Sequence, residues 1–257
     1  MLILGHHRIN PEARDGLSVS TEDFEAQLKQ LLRSGYECVS LEEAFRSGQP
    51  LHQGKRFAIT IDDGYKDNYT HAFPVLQRLG VKATIFVATY YLDSGALFPW
   101  VRPDDYGEMT PDDFPMTWED LDEMVESGYV EVGSHTMTHP MLSTLDSGAA
   151  YTEIRDSKEI LEERYHRETP LFCYPAGNFN QETISLVQKA GYAAAVVSPD
   201  RYLEETPFTL RRVGLDRGTT PLLFQIKISA FWETLERNRF GWGARRLLRS
   251  AYRQVRR

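Results

Sequence analysis

Short β-rich runs alternate with helical patterns along most of the 257 residues, and this alternation restricts the fold more than any other feature. Apolar runs of strand length occur at 57–61, 83–88 and 192–197. Strands that alternate with helices pair in parallel, because each helix returns the chain to the same end of the sheet. Seven or eight such units without a break in composition predict a single α/β domain over residues 1–236. That number favours a distorted (β/α)7–8 barrel over an open sheet.

Membrane-spanning and secreted classes fit the sequence poorly. No run approaches the ~18 consecutive apolar residues that a transmembrane helix needs, and the first residues have neither a basic leader nor a cleavage site. The sequence therefore predicts a cytoplasmic protein. Cys38 and Cys173 are the only cysteines. They are expected to be reduced, buried thiols, with one long-range disulfide as the alternative.

The charge is distributed unevenly between the body and the C-terminal end. The net charge is −8, but the segment 237–257 contains eight arginines and no acid, which leaves −16 for the rest. An acidic body argues against a nucleic-acid partner. In the tail, Leu247, Leu248, Ala251 and Tyr252 share one face of a basic amphipathic helix. This helix is expected either to contact an anionic membrane at its inner face or to pack on the barrel.

Two adjacent carboxylates follow the strand at 57–61. Barrel active sites form at the C-terminal ends of strands, so Asp62 and Asp63 are well placed for chemistry. Adjacent residues that leave a strand point in different directions, which lets one bind a metal while the other handles a proton. The same Asp-Asp-Gly sequence also suits an ordinary turn, so this motif alone is weak evidence.

A histidine pair follows the strand at 130–132. His135 and His139 are four residues apart, and this spacing predicts one face of a helical turn that presents two imidazoles to one cation. Two histidines on an ordinary surface turn are the alternative. A carboxylate with two imidazoles leaves coordination positions open for water and substrate, as in catalytic metal sites. The two motifs together predict a metal site.

The combination of residues 60–64 with residues 135–139 resembles the polysaccharide deacetylases of carbohydrate esterase family 4. The resemblance covers roughly residues 1–215. It implies a distorted barrel and hydrolysis of N-acetyl groups on amino sugars. It also implies a divalent metal, usually zinc, with cobalt, nickel or iron as alternatives. Asp63, His135 and His139 would hold this metal, and Asp62 would be the general base.

A third segment matches the family only in part. Residues 172–177 keep the Pro and Gly of the family motif, but Cys173 stands where many members carry an arginine that orients the base. Arg212 is the candidate replacement. The resemblance also implies that the backbone N–H of Ala176 binds the oxyanion, a role that does not depend on the side chain.

The position of the general acid departs from the family pattern more than the third segment does. Most members supply it from a late histidine, and no histidine follows His166. In the branch that deacetylates biofilm poly-N-acetylglucosamine, the acid comes from the N-terminal strand, and residues 4–9 resemble that opening. The alignment favours His7, with His6 as the alternative acid and a purely structural histidine as a further possibility.

The sequence therefore predicts a metal-dependent hydrolase acting on an N-acetylated amino-sugar polymer, oligomer or glycolipid precursor. Two alternatives are an amidase of the same fold with a non-sugar substrate and a non-catalytic carbohydrate-binding protein. The long irregular segment 93–116 is expected either to carry Trp100 and Tyr106 to a cleft or to be a solvated insertion. The oligomeric state is left open.

Overall fold

The computed structural model describes residues 1–12, 15–47, 54–102, 108–198, 203–229 and 232. The strands are β1 (Leu2–His6), β2 (Arg8–Ile9), β3 (Ser18–Val19), β4 (Glu37–Cys38), β5 (Arg56–Asp63), β6 (Ala83–Val87), β7 (Val130–Ser134), β8 (Leu171–Cys173), β9 (Ala194–Val197), β10 (Leu210–Arg211) and β11 (Val213–Gly214). The α-helices are α1 (Thr21–Arg33), α2 (Leu41–Arg46), α3 (Phe73–Leu79), α4 (Trp118–Glu126), α5 (Ser147–Tyr165), α6 (Gln181–Lys189) and α7 (Pro221–Lys227). In these segments no helix combines the length and the apolar content needed to cross a membrane. The predicted tail helix at 237–257, the domain boundary at 236 and Tyr106 lie outside the described residues.

The main sheet is parallel and nearly closed as a barrel. Eight strands follow one another in the order β10-β9-β8-β7-β6-β5-β1-β11, and β4 adds to the start of β5. Arg212 alone separates β10 from β11, so the two ends of this order are consecutive pieces of one chain segment. β10 pairs with β9 and β11 pairs with β1. The predicted α/β barrel is thus confirmed. The strand expected over 210–213 is instead two short strands, one on each side of Arg212, that pair with different neighbours; we call this junction the seam of the barrel.

The helices begin at polar caps and bury one apolar stripe. Ser20 accepts a hydrogen bond from the Asp23 N–H at the start of α1, and Thr117 caps α4 in the same way. On α1, the side chains of Phe24, Leu28 and Leu31 are fully buried. Spacings of four and three residues place them on one face, which packs against the outside of the barrel.

Alternation along the strands separates the barrel interior from the layer beneath the helices. Ile3 and Ala58 pack with residues of β6, β8 and β9 in one cluster, whereas Leu4, Phe57 and Ile59 pack with α1 and α3 in another. Because successive strand residues face opposite sides, Thr60 and Asp62 also point into the barrel, toward its C-terminal end.

Several elements differ from the prediction. The helix expected near 68–79 begins as a π-helical turn over Asn68–Ala72 before α3. Segment 93–116 includes a 3₁₀ turn at Pro111–Asp113. β2 and β3, which no pattern indicated, form a small parallel pair outside the barrel. Both cysteines are free; Cys173 is buried as expected, but Cys38 is only half-buried.

Candidate active site

Asp62 and Asp63 are the last two residues of β5 and point in different directions. Both are almost completely buried. Asp62 continues the inward alternation, whereas Asp63 has a positive φ of 75° and is followed by Gly64 at 87°. This left-handed turn takes the Asp63 carboxylate out of the strand direction and toward the end of β7. The two carboxylates therefore reach separate partners.

The prediction of a helical turn between His135 and His139 is wrong. Residues 135–140 form an irregular turn after β7 in which Thr136 and His139 have φ values of 68° and 59°. The Thr136 hydroxyl accepts a hydrogen bond from the His139 N–H at 3.0 Å, which closes the turn. The imidazoles still meet, with ring centroids 4.6 Å apart at 71°, because the turn doubles back instead of coiling.

Asp63, His135 and His139 converge on one point. The Nε2 atoms of both histidines lie 3.5 Å from the same carboxylate oxygen of Asp63. The ligand atoms of the three residues all lie within 4.8 Å of one another, so a single cation can be shared. Nδ1 of His135 donates a hydrogen bond to the Cys173 carbonyl oxygen at 2.7 Å, which leaves Nε2 for a metal. One oxygen and two nitrogen ligands suit zinc and related divalent ions.

The protonation states of His135 and His139 determine whether a cation must displace a proton when it binds. Burial lowers the pKa of His139 to about 4, so its imidazole is neutral and able to coordinate. Burial alone would also lower the pKa of His135, but its contacts with Cys173 and Asp63 raise it well above the usual value. A metal that binds Nε2 of His135 must therefore release a proton.

Arg212 holds Asp62 from the barrel seam. Its two terminal nitrogens each donate to one oxygen of Asp62 at 2.6 Å, and one of them also donates to the Thr60 hydroxyl at 3.1 Å. Burial by itself raises the pKa of Asp62, but the charge and hydrogen bonds of Arg212 outweigh it and hold that pKa well below its usual range. Asp62 is thus an ionised carboxylate with a fixed orientation.

Cys173 lies beside this pair and carries no charge of its own. Burial raises the pKa of its thiol, whose Sγ lies 3.6 Å from Asp62. Asp62, His135 and Cys173 form a second group whose ligand atoms are equally close together. Because Arg212 occupies both oxygens of Asp62 and the thiol is protonated, Asp63, His135 and His139 fit a divalent cation better.

The two candidate acids are in different environments. His7 is about 30% exposed, and its Nε2 lies 3.7 Å from Asp62. His6 is fully buried and packs edge-on against Phe24 of α1, and neither of its ring nitrogens has a hydrogen-bond partner among the described residues. Burial lowers the pKa of His6 to about 3. Only His7 faces the carboxylate.

All the predicted site residues line one cavity of about 560 Å³. Its lining comprises His7, Leu17, Asp62, Asp63, Pro99, Trp100, His135, His139, Met141, Tyr174, Ala176, Gly177, Ser198 and Arg212. Ala176 is exposed to this cavity and has a left-handed backbone, with φ 52°. The Trp100 ring lies 4.2 Å from the His139 ring, and its Nε1 donates to the Tyr65 hydroxyl.

Some lining residues carry no sequence signal that would have identified them. Leu17 and Met141 are 40% and 54% exposed and lie in loops that follow β2 and β7. A large apolar side chain in a loop is too common to mark a cavity wall, even where it follows a ligand motif, as Met141 does. Tyr174 is in the third motif, but the motif alone does not show that its side chain reaches the cavity.

Comparison with known proteins gives a consistent result. A family model described as polysaccharide deacetylase matches residues 51–195, which include Asp62, Asp63 and both histidines of the turn but neither His7 nor Arg212. The Bacillus subtilis protein YxkH, named provisionally as a polysaccharide deacetylase, is 32% identical over 86% of this chain and 74% of its own length. The poly-beta-1,6-N-acetyl-D-glucosamine N-deacetylase of Escherichia coli K12 is 33% identical over 72% of this chain. The chain spans only 32% of that protein.

Solved structures with a similar fold match most of this chain. The Streptococcus pyogenes deacetylase PplD, determined in complex with acetate, has a TM-score of 0.74 at 25% identity. The alignment covers 89% of this chain and 98% of PplD. IcaB from Ammonifex degensii has a TM-score of 0.71 at 25% identity, with 89% and 97% covered.

Proposed function

The chain belongs to the polysaccharide deacetylase family, and from this premise we propose that it is a metal-dependent hydrolase that removes N-acetyl groups from an amino-sugar polymer, oligomer or glycolipid precursor. The single observation that carries the proposal is the convergence of two separate systems in one cavity. Asp63, His135 and His139 can share a cation, and Asp62 stands beside them with its own arginine.

Asp62 is the proposed general base. A divalent cation held by Asp63, His135 and His139 would supply a Lewis acid that lowers the pKa of a water toward ~7 and polarises the acetamide carbonyl. Arg212 lowers the pKa of Asp62, which keeps this carboxylate ionised and therefore able to accept a proton. Arg212 in turn keeps the accepting oxygen in place.

His7 and Ala176 complete the proposed reaction. The protonated His7 imidazole donates a proton to the leaving nitrogen as the C–N bond breaks, so the amino sugar leaves as a neutral amine and the acyl group as acetate. His7 lines the cavity, is partly exposed, and lies 3.7 Å from Asp62, which supports a proton-transfer role. The Ala176 N–H would donate to the oxyanion of the tetrahedral intermediate.

The walls of the cavity and the named relatives support a proposed substrate class. Leu17, Trp100 and Met141 give the cavity an apolar wall beside the polar centre. Sugar rings have apolar faces that pack on such side chains. The named E. coli and Staphylococcus relatives act on poly-beta-1,6-N-acetyl-D-glucosamine. We therefore propose N-acetylglucosamine residues as the substrate unit.

Acetate release is the direct test. The zinc-loaded protein should release acetate from β-1,6-linked N-acetylglucosamine oligomers. Acetate release from chitooligosaccharides and ring opening of small cyclic amides should be measured at equal substrate concentration. Ring opening of the cyclic amides without acetate release from either sugar would assign the chain to non-sugar amide hydrolysis. Bound zinc with no hydrolysis of any of the three would support a carbohydrate-binding protein and overturn the proposal.

A further inference from the structure

The turn that carries His139 adopts an unfavourable backbone conformation. Thr136 and His139 both have left-handed φ values, although neither is glycine. Residues held in this region are strained and persist only where the surrounding structure imposes them. Thr136 is also β-branched, which increases the penalty. Something outside the turn must hold it in place.

Glu153 of α5 provides that contact. One of its carboxylate oxygens accepts hydrogen bonds from the Met137 N–H at 3.0 Å and the Thr138 N–H at 2.8 Å. The other oxygen accepts from the Thr138 hydroxyl at 2.7 Å. Three bonds from one charged group thus hold the two residues between Thr136 and His139, and hydrogen bonds to an ionised acceptor are stronger than neutral ones.

A second contact fixes the other end of the turn to the same helix. Ser157 is four residues after Glu153 and therefore on the same face of α5. Its hydroxyl lies 2.6 Å from that of Ser134, the last residue of β7, and the Ser134 hydroxyl also accepts from the Thr136 N–H. The helix α5 thus holds both the start of the turn and its middle.

We infer that Glu153 is a positioning residue for the metal site: it holds the 136–139 turn in place. In this arrangement the imidazole of His139 meets the imidazole of His135 and the carboxylate of Asp63. The inference rests on the proposed function, since it assumes that these three residues bind a cation. Glu153 does not line the cavity, so it acts only through the turn. Losing such an outer contact typically weakens metal binding about 10–100-fold.

The test compares zinc affinity, measured by competition with a chromophoric chelator, among variants of the full chain. Glu153→Ala removes all three hydrogen bonds and should weaken zinc binding by about 10–100-fold. Glu153→Gln keeps a carbonyl oxygen for the two N–H groups and an amide for the Thr138 hydroxyl, so it should restore most of the affinity. Glu163→Ala is the matched control, because Glu163 is exposed on the same helix.

Stability is measured in parallel by urea unfolding of the zinc-free proteins. A purely structural role predicts that Glu153→Ala lowers the unfolding free energy while zinc affinity per folded molecule stays at the wild-type value. That result overturns the inference, as does an equal loss of affinity in Glu163→Ala. If the wild-type protein itself binds no zinc, the proposed function fails first. If Glu153→Ala does not fold, the loss of affinity in Thr138→Val, which removes one of the three bonds, decides the question.

Discussion

Arg212 and Asp62 form a bidentate ion pair across the barrel, with both N–O distances at 2.6 Å between residues 150 positions apart. Both side chains are about 2% exposed. A guanidinium that meets both oxygens of a carboxylate fixes the plane of that carboxylate as well as its charge. The first two predictions follow from this pair.

Asp62→Asn should abolish acetate release while zinc remains bound. The amide keeps the shape of the carboxylate but cannot accept the proton, so kcat should fall by at least about 10⁴-fold, the upper end of what general base catalysis contributes. Acetate release at saturating substrate measures the effect, and zinc content measured on the same sample shows that the ligands are intact. Wild-type activity in Asp62→Asn would exclude it as the base.

Arg212→Met should lower the unfolding free energy by about 3–5 kcal/mol at pH 7, because it leaves a buried carboxylate without its partner. Arg212→Lys keeps the charge but not the two-point contact and should lose less. Urea unfolding of chelator-treated proteins measures both. A loss below about 1 kcal/mol in Arg212→Met would mean that water reaches Asp62 in the folded protein.

The same variant should show a defined dependence on pH. In the wild type the pKa of Asp62 is lower in the folded than in the unfolded protein. The stabilisation by the ion pair is therefore fully present above the unfolded pKa of about 3.9, and it is lost only as the pH falls through the lower folded pKa. In Arg212→Met, burial without a partner raises that pKa, so the carboxyl becomes protonated at higher pH. The stability deficit should therefore shrink between pH 8 and pH 5. A constant deficit would contradict the assignment to Asp62.

His7→Ala should lower kcat by about 10²–10⁴-fold and leave residual acetate release. His6→Leu is the matched comparison: it removes a buried histidine without a hydrogen-bond partner and should leave the unfolding free energy unchanged or higher. Its activity should stay within about threefold of the wild type, since His6 is outside the cavity. A large loss of activity in His6→Leu together with nearly wild-type activity in His7→Ala would identify His6 as the acid.

Zinc binding should depend on His139 and on pH. His139→Ala removes one of three protein ligands and should reduce bound zinc after dialysis, whereas His166→Asn, at the exposed C-cap of α5, should not. At 100 times its Kd, zinc stabilises the folded protein by about 2.7 kcal/mol. Because His135 must lose a proton to bind, zinc affinity should fall as the pH is lowered. Equal zinc content in both variants would place the metal elsewhere.

Periodicity and motif spacing predicted the barrel and brought the two ligand motifs to the same end of it. They left His6 and His7 as alternatives because both adjacent histidines fall in the segment that resembles the family branch. In the structure β1 runs to His6, and alternation turns His6 toward α1 and leaves His7 directly after the strand. Which of the two neighbouring side chains faces the site depends on how the strand packs, and the sequence pattern does not contain that.

Other features depend on contacts that a sequence pattern does not contain. A spacing of four residues is compatible with a helical turn and with the doubled-back turn that the structure has. Thr136 is β-branched and gives no signal of a left-handed φ, and histidine is enriched there too weakly to predict one at His139. Arg212 could be suggested only as a substitute for the expected arginine at 173. Its place between β10 and β11 depends on which strands those two segments join.

The seam at Arg212 has a consequence for synthesis of the chain. β1 and β11 are hydrogen-bonded neighbours, yet they are the first and last strands of the sheet along the sequence. A nascent chain that has reached β9 already contains Asp62, Asp63, His135 and His139, but Asp62 still lacks the arginine that neutralises its charge. We therefore expect ribosome-bound chains to gain activity abruptly, only once β10 and β11 have left the exit tunnel.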